Sequence, residues 1–155
     1  MEELTFAVYG TPIGPVTVAC EGGAVTALRF GSGHYVGPEK KTQLSDEVIR
    51  QLCQYLEGKR KGFDLPLAPK GTPFQLAVWE ALRTIPYGES RSYADVAAQG
   101  GCPRAGRAVG MANNRNPIAI IVPCHRVVGK GGGLVGYAGG LGLKKRLLTI
   151  EKTYK

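Results

Sequence analysis

Residues 92–117 read SYADVAAQGGCPRAGRAVGMANNRNP, and the folding of the second half of the chain can be read outward from them. Ser92 followed three residues later by Asp95 makes a capping box, which predicts a helix from Tyr93 to about Ala98. Pro103 is suited to the first position of a second helix running to about Asn114, with Gln99, Gly100, Gly101 and Cys102 as the turn. Two short helices across a glycine-containing turn form a helix-turn-helix. The second helix is smooth and basic: Ala105, Gly106, Ala108, Gly110 and Ala112 are small, while Arg104, Arg107 and Arg115 are cationic. Such a surface suits contact with a nucleic-acid backbone, because base-edge reading needs long polar side chains. Tight packing on a neighbouring helix would use the same small residues.

Downstream, the apolar run Ile118 to Val122 leads into Pro123, Cys124, His125, Arg126, Val127, Val128 and Gly129. The run is read as a strand that carries a thiol into a dry interior beside an imidazole. A thiol is mostly protonated near neutrality and becomes a strong nucleophile only beside a base or a positive charge. His125 is the obvious base. Glycines then punctuate 129–142, and a final helix is expected over Leu143 to Ile150, with Leu147, Leu148 and Ile150 inward and Lys144, Lys145 and Arg146 outward.

Upstream, a new unit begins at Thr72, an N-cap before Pro73, with Phe74, Leu76, Val78, Trp79 and Leu82 as the apolar face of a helix. Before it, Lys59 to Gly71 reads as a linker. Leu4 to Tyr9, Val16 to Cys20 and Ala24 to Phe30 read as a meander of strands. Ser45 is placed to cap a helix carrying Val48, Ile49, Leu52 and Leu56, ended by Gly58. The expected class is α+β: a small N-terminal α/β scaffold domain with antiparallel strands (1–68), then a mainly helical, winged-helix-like domain (69–155).

The net charge of +8 is segregated. Residues 1–70 hold 8 Lys/Arg against 8 Asp/Glu, and residues 71–155 hold 12 against 4. A basic half favours a polyanionic partner, since neutralising phosphates releases counterions. Cysteines at 20, 53, 102 and 124 form no CxxC pair, so neither a disulfide framework nor a zinc site is suggested. No apolar stretch approaches the roughly 20 residues that span a bilayer. With no basic-then-apolar leader at the start, a soluble cytoplasmic protein without membrane association is expected.

The PCHRV motif behind a small-residue helix-turn-helix closely resembles the O6-alkylguanine-DNA alkyltransferases, also called methylated-DNA–protein-cysteine methyltransferases. The likeness includes SYADVAA, RAVG, Asn116-Pro117, GYAGGL and Glu151, and upstream the less diagnostic TPIGPVTVA. It implies a single-turnover repair protein that binds duplex DNA through the minor groove, flips out an alkylated guanine and takes the alkyl group onto its own cysteine. O4-alkylthymine is a further candidate lesion. No cofactor or metal is implied and a monomer is expected, with cooperative loading on DNA left open.

By this resemblance Cys124 is the acceptor, His125 a base acting through a water, and Glu151 the carboxylate that holds the imidazole tautomer. Tyr93 helps protonate the leaving guanine, and Asn116 ties the helix-turn-helix to the cysteine loop. Arg107 enters the space the base vacates, and Ala105, Gly110, Arg115 and Arg126 complete the DNA-binding set. The carbonyls of Cys124 and Val127 recognise the guanine amino group, with Tyr137 and Ala138 closing the pocket. Ala119 and Ala138 stand where some members carry proline and serine, which implies room for bulkier alkyl groups.

Two rival functions share parts of this pattern. A cysteine peptidase would use Cys124 and His125, but its nucleophile and base come from separate parts of the chain, and repeated turnover on peptides would mark it. A DNA-binding regulator would use the helix-turn-helix alone and would leave Cys124 unmodified.

Overall fold

The computed structural model describes residues 3–101, 104–134 and 136–155; the side chain of Lys130 is outside the description. The chain divides into two compact units, one of Met1–Lys70 with Pro117–Ile121, the other of Gly71–Asn116 with Val122–Lys155. The class is α+β.

The first unit is built on a three-stranded antiparallel meander, β1 (Thr5–Thr11), β2 (Gly14–Glu21) and β3 (Ala24–Phe30). Phe6 packs with Ala19 and Ala27 on one face of the sheet, and Val16, Val18 and Leu28 are buried on the other. Helix α1 (Gln43–Leu56) adds Val48, Leu52 and Tyr55 to that core. Its N-cap is Thr42 rather than Ser45. The Thr42 hydroxyl accepts from the Ser45 amide, and Ser45 Oγ accepts in return from the Thr42 amide, so Ser45 is the inner half of a capping box. The expected linker is instead a strap tied to the sheet edge. Val25 donates to the Pro66 carbonyl, Ala68 donates back to Val25, and Gln51 of α1 clasps the backbone of Asp64.

The apolar run before the cysteine is not a strand. Leu28 donates to the Pro117 carbonyl and Ala119 donates to Leu28, which makes a single parallel bridge at Ile118. The chain then turns, with Ile120 at φ +69. Prolines at 117 and 123 cannot donate to a ladder, and a left-handed residue breaks the period-2 alternation.

In the second unit α2 (Pro73–Arg83) starts at the expected Thr72 cap, and Trp79 Nε1 donates to the Ala112 carbonyl. The short strand β4 (Arg91–Ser92) leads into α3 (Tyr93–Gln99), capped by Ser92 as expected. Helix α4 (Gly106–Asn114) begins later than its expected start; Cys102 and Pro103 lie outside the described residues. Cys124–Arg126 form a 3-10 turn running into β5 (Val127–Val128), which pairs parallel with β4. Helix α5 (Leu141–Tyr154) is longer at both ends than predicted. Lys144, expected outward, is fully buried, while Leu148 and Ile150 are only partly so. The helical period explains the exchange: 144, 147 and 151 fall on one face, and that face is the buried one.

Candidate active site

Cys124 opens the 3-10 turn and is 6% exposed. Burial pushes its thiol above the ordinary cysteine range, and the Asn116 side chain and the charge of Lys144 draw it partly back. Asn116, just beyond α4, also donates from Nδ2 to the Val122 carbonyl at 2.8 Å, so one amide reaches both the cysteine loop and the sulfur.

His125 is wholly buried, and its Nε2 lies 2.6 Å from Glu151 Oε2. Burial lowers its proton affinity, Glu151 raises it, and the cations Arg126 and Lys144 lower it again; the net direction is down, so the ring is neutral near pH 7. Glu151 comes from α5 and is 1% exposed. Its Oε1 accepts from Arg126 Nε at 2.9 Å and from the Gly88 amide at 3.0 Å, and its Oε2 also accepts from Arg126 Nη2 at 3.1 Å. Arg126 Nη1 donates to the Ile85 carbonyl at 2.7 Å. The expectation that Arg126 binds DNA is therefore corrected: a guanidinium is laid flat against a buried carboxylate when a planar fork meets two oxygens, and this one is committed inside the unit.

Tyr93 opens α3, and its hydroxyl proton is held more tightly by burial and by the neighbouring Cys124 sulfur. A Cβ at Gly110 would meet the Tyr93 ring at 3.8 Å, so this glycine sits against the tyrosine at ordinary contact distance. On α4, Val109, Ala112 and Asn113 face inward, while Arg107, Ala108, Met111 and Asn114 are exposed; Arg115, the C-cap, is exposed too. Ala105 is half-buried at the N-cap. The helix thus packs through one side and carries a cationic outer face on the other. Val127 is buried, Tyr137 is half-buried, and Ala138 is exposed. Ala119 is buried within the first unit, where its amide donates to Leu28.

Three functional features escaped the sequence reading. Lys144 donates from Nζ to the Val127 carbonyl at 2.6 Å and is the cation nearest in influence to the thiol. Asn113 donates to the Cys124 carbonyl at 3.4 Å, and that carbonyl also accepts from the Val127 amide, so both of its lone pairs are used. The Gly88 amide holds Glu151. Only Lys144 had a sequence signal, its spacing from Leu147 and Glu151. Among the described residues no group of three or more His, Cys, Asp or Glu side chains is placed to hold a metal, and no helix is long and apolar enough to cross a membrane.

Residues 4–69 match the family model described as "6-O-methylguanine DNA methyltransferase, ribonuclease-like domain", and residues 73–153 match "6-O-methylguanine DNA methyltransferase, DNA binding domain". The chain is 47% identical to a methylated-DNA–protein-cysteine methyltransferase of Methanosarcina acetivorans, over 94% of this chain and 97% of the relative. A constitutive protein of the same name from Bacillus subtilis is 48% identical over 94% of each. Among solved structures, Mycobacterium tuberculosis OGT in complex with DNA is similar with a TM-score of 0.90 and 46% identity, covering 97% of this chain and 94% of that one.

Proposed function

Because this chain belongs to the 6-O-methylguanine DNA methyltransferase family, we propose a mechanism in which its own residues carry out the family's repair reaction. The protein is a DNA-repair enzyme that transfers an alkyl group directly from DNA to its own cysteine. The observation that carries the residue assignment is the buried Cys124 thiol beside the buried His125–Glu151 pair.

Cys124 is the acceptor. His125, neutral and hydrogen-bonded to Glu151, takes the thiol proton through a water, since neighbouring residues on a turn point apart. The thiolate displaces the O6 oxygen from the alkyl carbon: the carbon–sulfur bond forms, the carbon–oxygen bond breaks, and the electron pair passes into the guanine ring. Tyr93, whose burial keeps its phenol protonated, supplies the proton the departing guanine takes up and regains one from the His125 side. Lys144 and Asn116 stabilise the negative sulfur as it develops. The thioether has no carbonyl for water to attack, so the protein is consumed.

The DNA duplex lies against the outer face of α4 through its minor groove, with Arg107 filling the space of a flipped base and Ala105, Gly110 and Arg115 along the backbone. Val127, Tyr137 and Ala138 bound the pocket for the extruded guanine. The protein acts as a monomer in the cytoplasm. Incubation with a duplex carrying O6-methylguanine raises the intact-protein mass by one methyl group, and peptide mapping finds it on Cys124; Cys124→Ser abolishes the gain. An unmodified Cys124 with the lesion still present overturns the assignment.

A further inference from the structure

The Glu151 carboxylate is saturated. A carboxylate offers about four lone-pair sites; three accept from Arg126 Nε, Arg126 Nη2 and the Gly88 amide at 2.9, 3.1 and 3.0 Å, and His125 Nε2 lies 2.6 Å from Oε2 at the fourth. A proton on either oxygen would displace one of these donors in a place water does not reach. The carboxylate is thus the form that fits, and it can only accept from the imidazole.

We infer that Arg126 is a positioning residue for the transfer reaction: by taking one site on each oxygen of Glu151, it compels His125 to donate through Nε2 and leaves Nδ1 as the ring nitrogen able to take a proton. The arrangement is rigid because Arg126 is held from behind by the Ile85 carbonyl, and its guanidinium lies 5.7 Å from the Tyr87 ring centroid. His125 Nδ1 is itself shielded from solvent, so the tautomer is fixed by protein partners rather than bulk water. This inference rests on the reading of His125 as the base.

The charged and titratable groups around the imidazole set the direction of the effect. Glu151 and Lys144 face it from α5, Arg126 and Cys124 adjoin it on its own turn, and Tyr87 approaches the pair from the segment before β4. Arg126 and Lys144 oppose the imidazolium; Glu151 favours it. Removing Arg126 takes away one opposing charge and leaves the Glu151 charge less offset, so the imidazolium persists to higher pH.

The test uses the full chain, with 15N-labelled histidine and His34 identified through His34→Gln. In the unsubstituted protein at neutral pH, His125 is expected to carry its proton on Nε2 with Nδ1 unprotonated; a proton on Nδ1 overturns the inference. Arg126→Met is expected to move the acid limb of methyl transfer from O6-methylguanine duplex upward by about one pH unit, and Arg126→Lys to recover part of that shift. A folded Arg126→Met whose acid limb stays where it was overturns it. Should Arg126→Met not fold, the tautomer in the unsubstituted protein decides alone. Loss of all methyl transfer to unsubstituted Cys124 would instead sink the repair assignment, while the tautomer measurement would still stand.

Discussion

The ammonium of Lys144 donates to the carbonyl oxygen of Val127 across 2.6 Å, with no part of the lysine exposed to solvent. Burial weakens its hold on its proton, the Cys124 sulfur strengthens it, and the same charge in turn favours the thiolate. A buried cation is costly unless something uses it. Here the carbonyl and the developing sulfur anion both do.

Replacing Lys144 with methionine keeps the side-chain length and removes the charge. Methyl transfer to Cys124 is expected to slow roughly tenfold, equivalent to about one unit of thiol proton affinity. Single-turnover transfer measured beside circular dichroism checks this; a folded Lys144→Met with an unchanged rate refutes it.

Without DNA the thiol should be unreactive near neutrality, because burial holds it above the ordinary cysteine value. Its alkylation by iodoacetamide is expected to climb with pH beyond the ordinary value of about 8.5. A plateau already reached at neutral pH, mapped to Cys124 by mass, would contradict this.

His125 gives a pH dependence of stability with a definite sign. Its proton affinity is lowered in the folded state, chiefly by burial, so between the unfolded value of about 6.5 and the lower folded one the unfolded chain binds more protons. Stability therefore rises with pH through that window and is lost as pH falls through it. Urea denaturation of the unsubstituted protein and of His125→Gln, followed across this range, should show a shallower acid-side slope in the variant; equal slopes would contradict the assignment.

Thr42→Ala removes the outer half of the α1 capping box and is expected to cost about 1 kcal/mol. Denaturant midpoints at constant slope measure it. Methyl transfer should be unaffected, since α1 carries none of the proposed site.

The small side chain of Ala138 predicts tolerance of bulky O6-alkyl groups. Transfer from O6-benzylguanine should proceed, and mass spectrometry of the intact protein should show benzyl on Cys124; complete resistance counts against it. Ala138→Ser should reduce benzyl transfer more than methyl transfer.

The local elements and the proposed nucleophile were legible in the amino-acid order alone. Ser92 with Asp95, and Thr72 with Pro73, specify helix starts through backbone groups a few residues away, and those hold in the structure. Cys124 and His125 are adjacent in the chain, so their nearness needed no fold. Ser45 misled because Thr42, three residues earlier, offers the same hydroxyl and leaves Ser45 free to complete the box. What lies between distant residues came only with folding: a lysine in a basic run turned inward by the helical period, an arginine turned from DNA onto Glu151, and an apolar run bent by Ile120 into turns. The physical reason is that charge and hydropathy describe a residue's preference for water, whereas the partner that overrules that preference comes from elsewhere in the chain and exists only once the chain has folded.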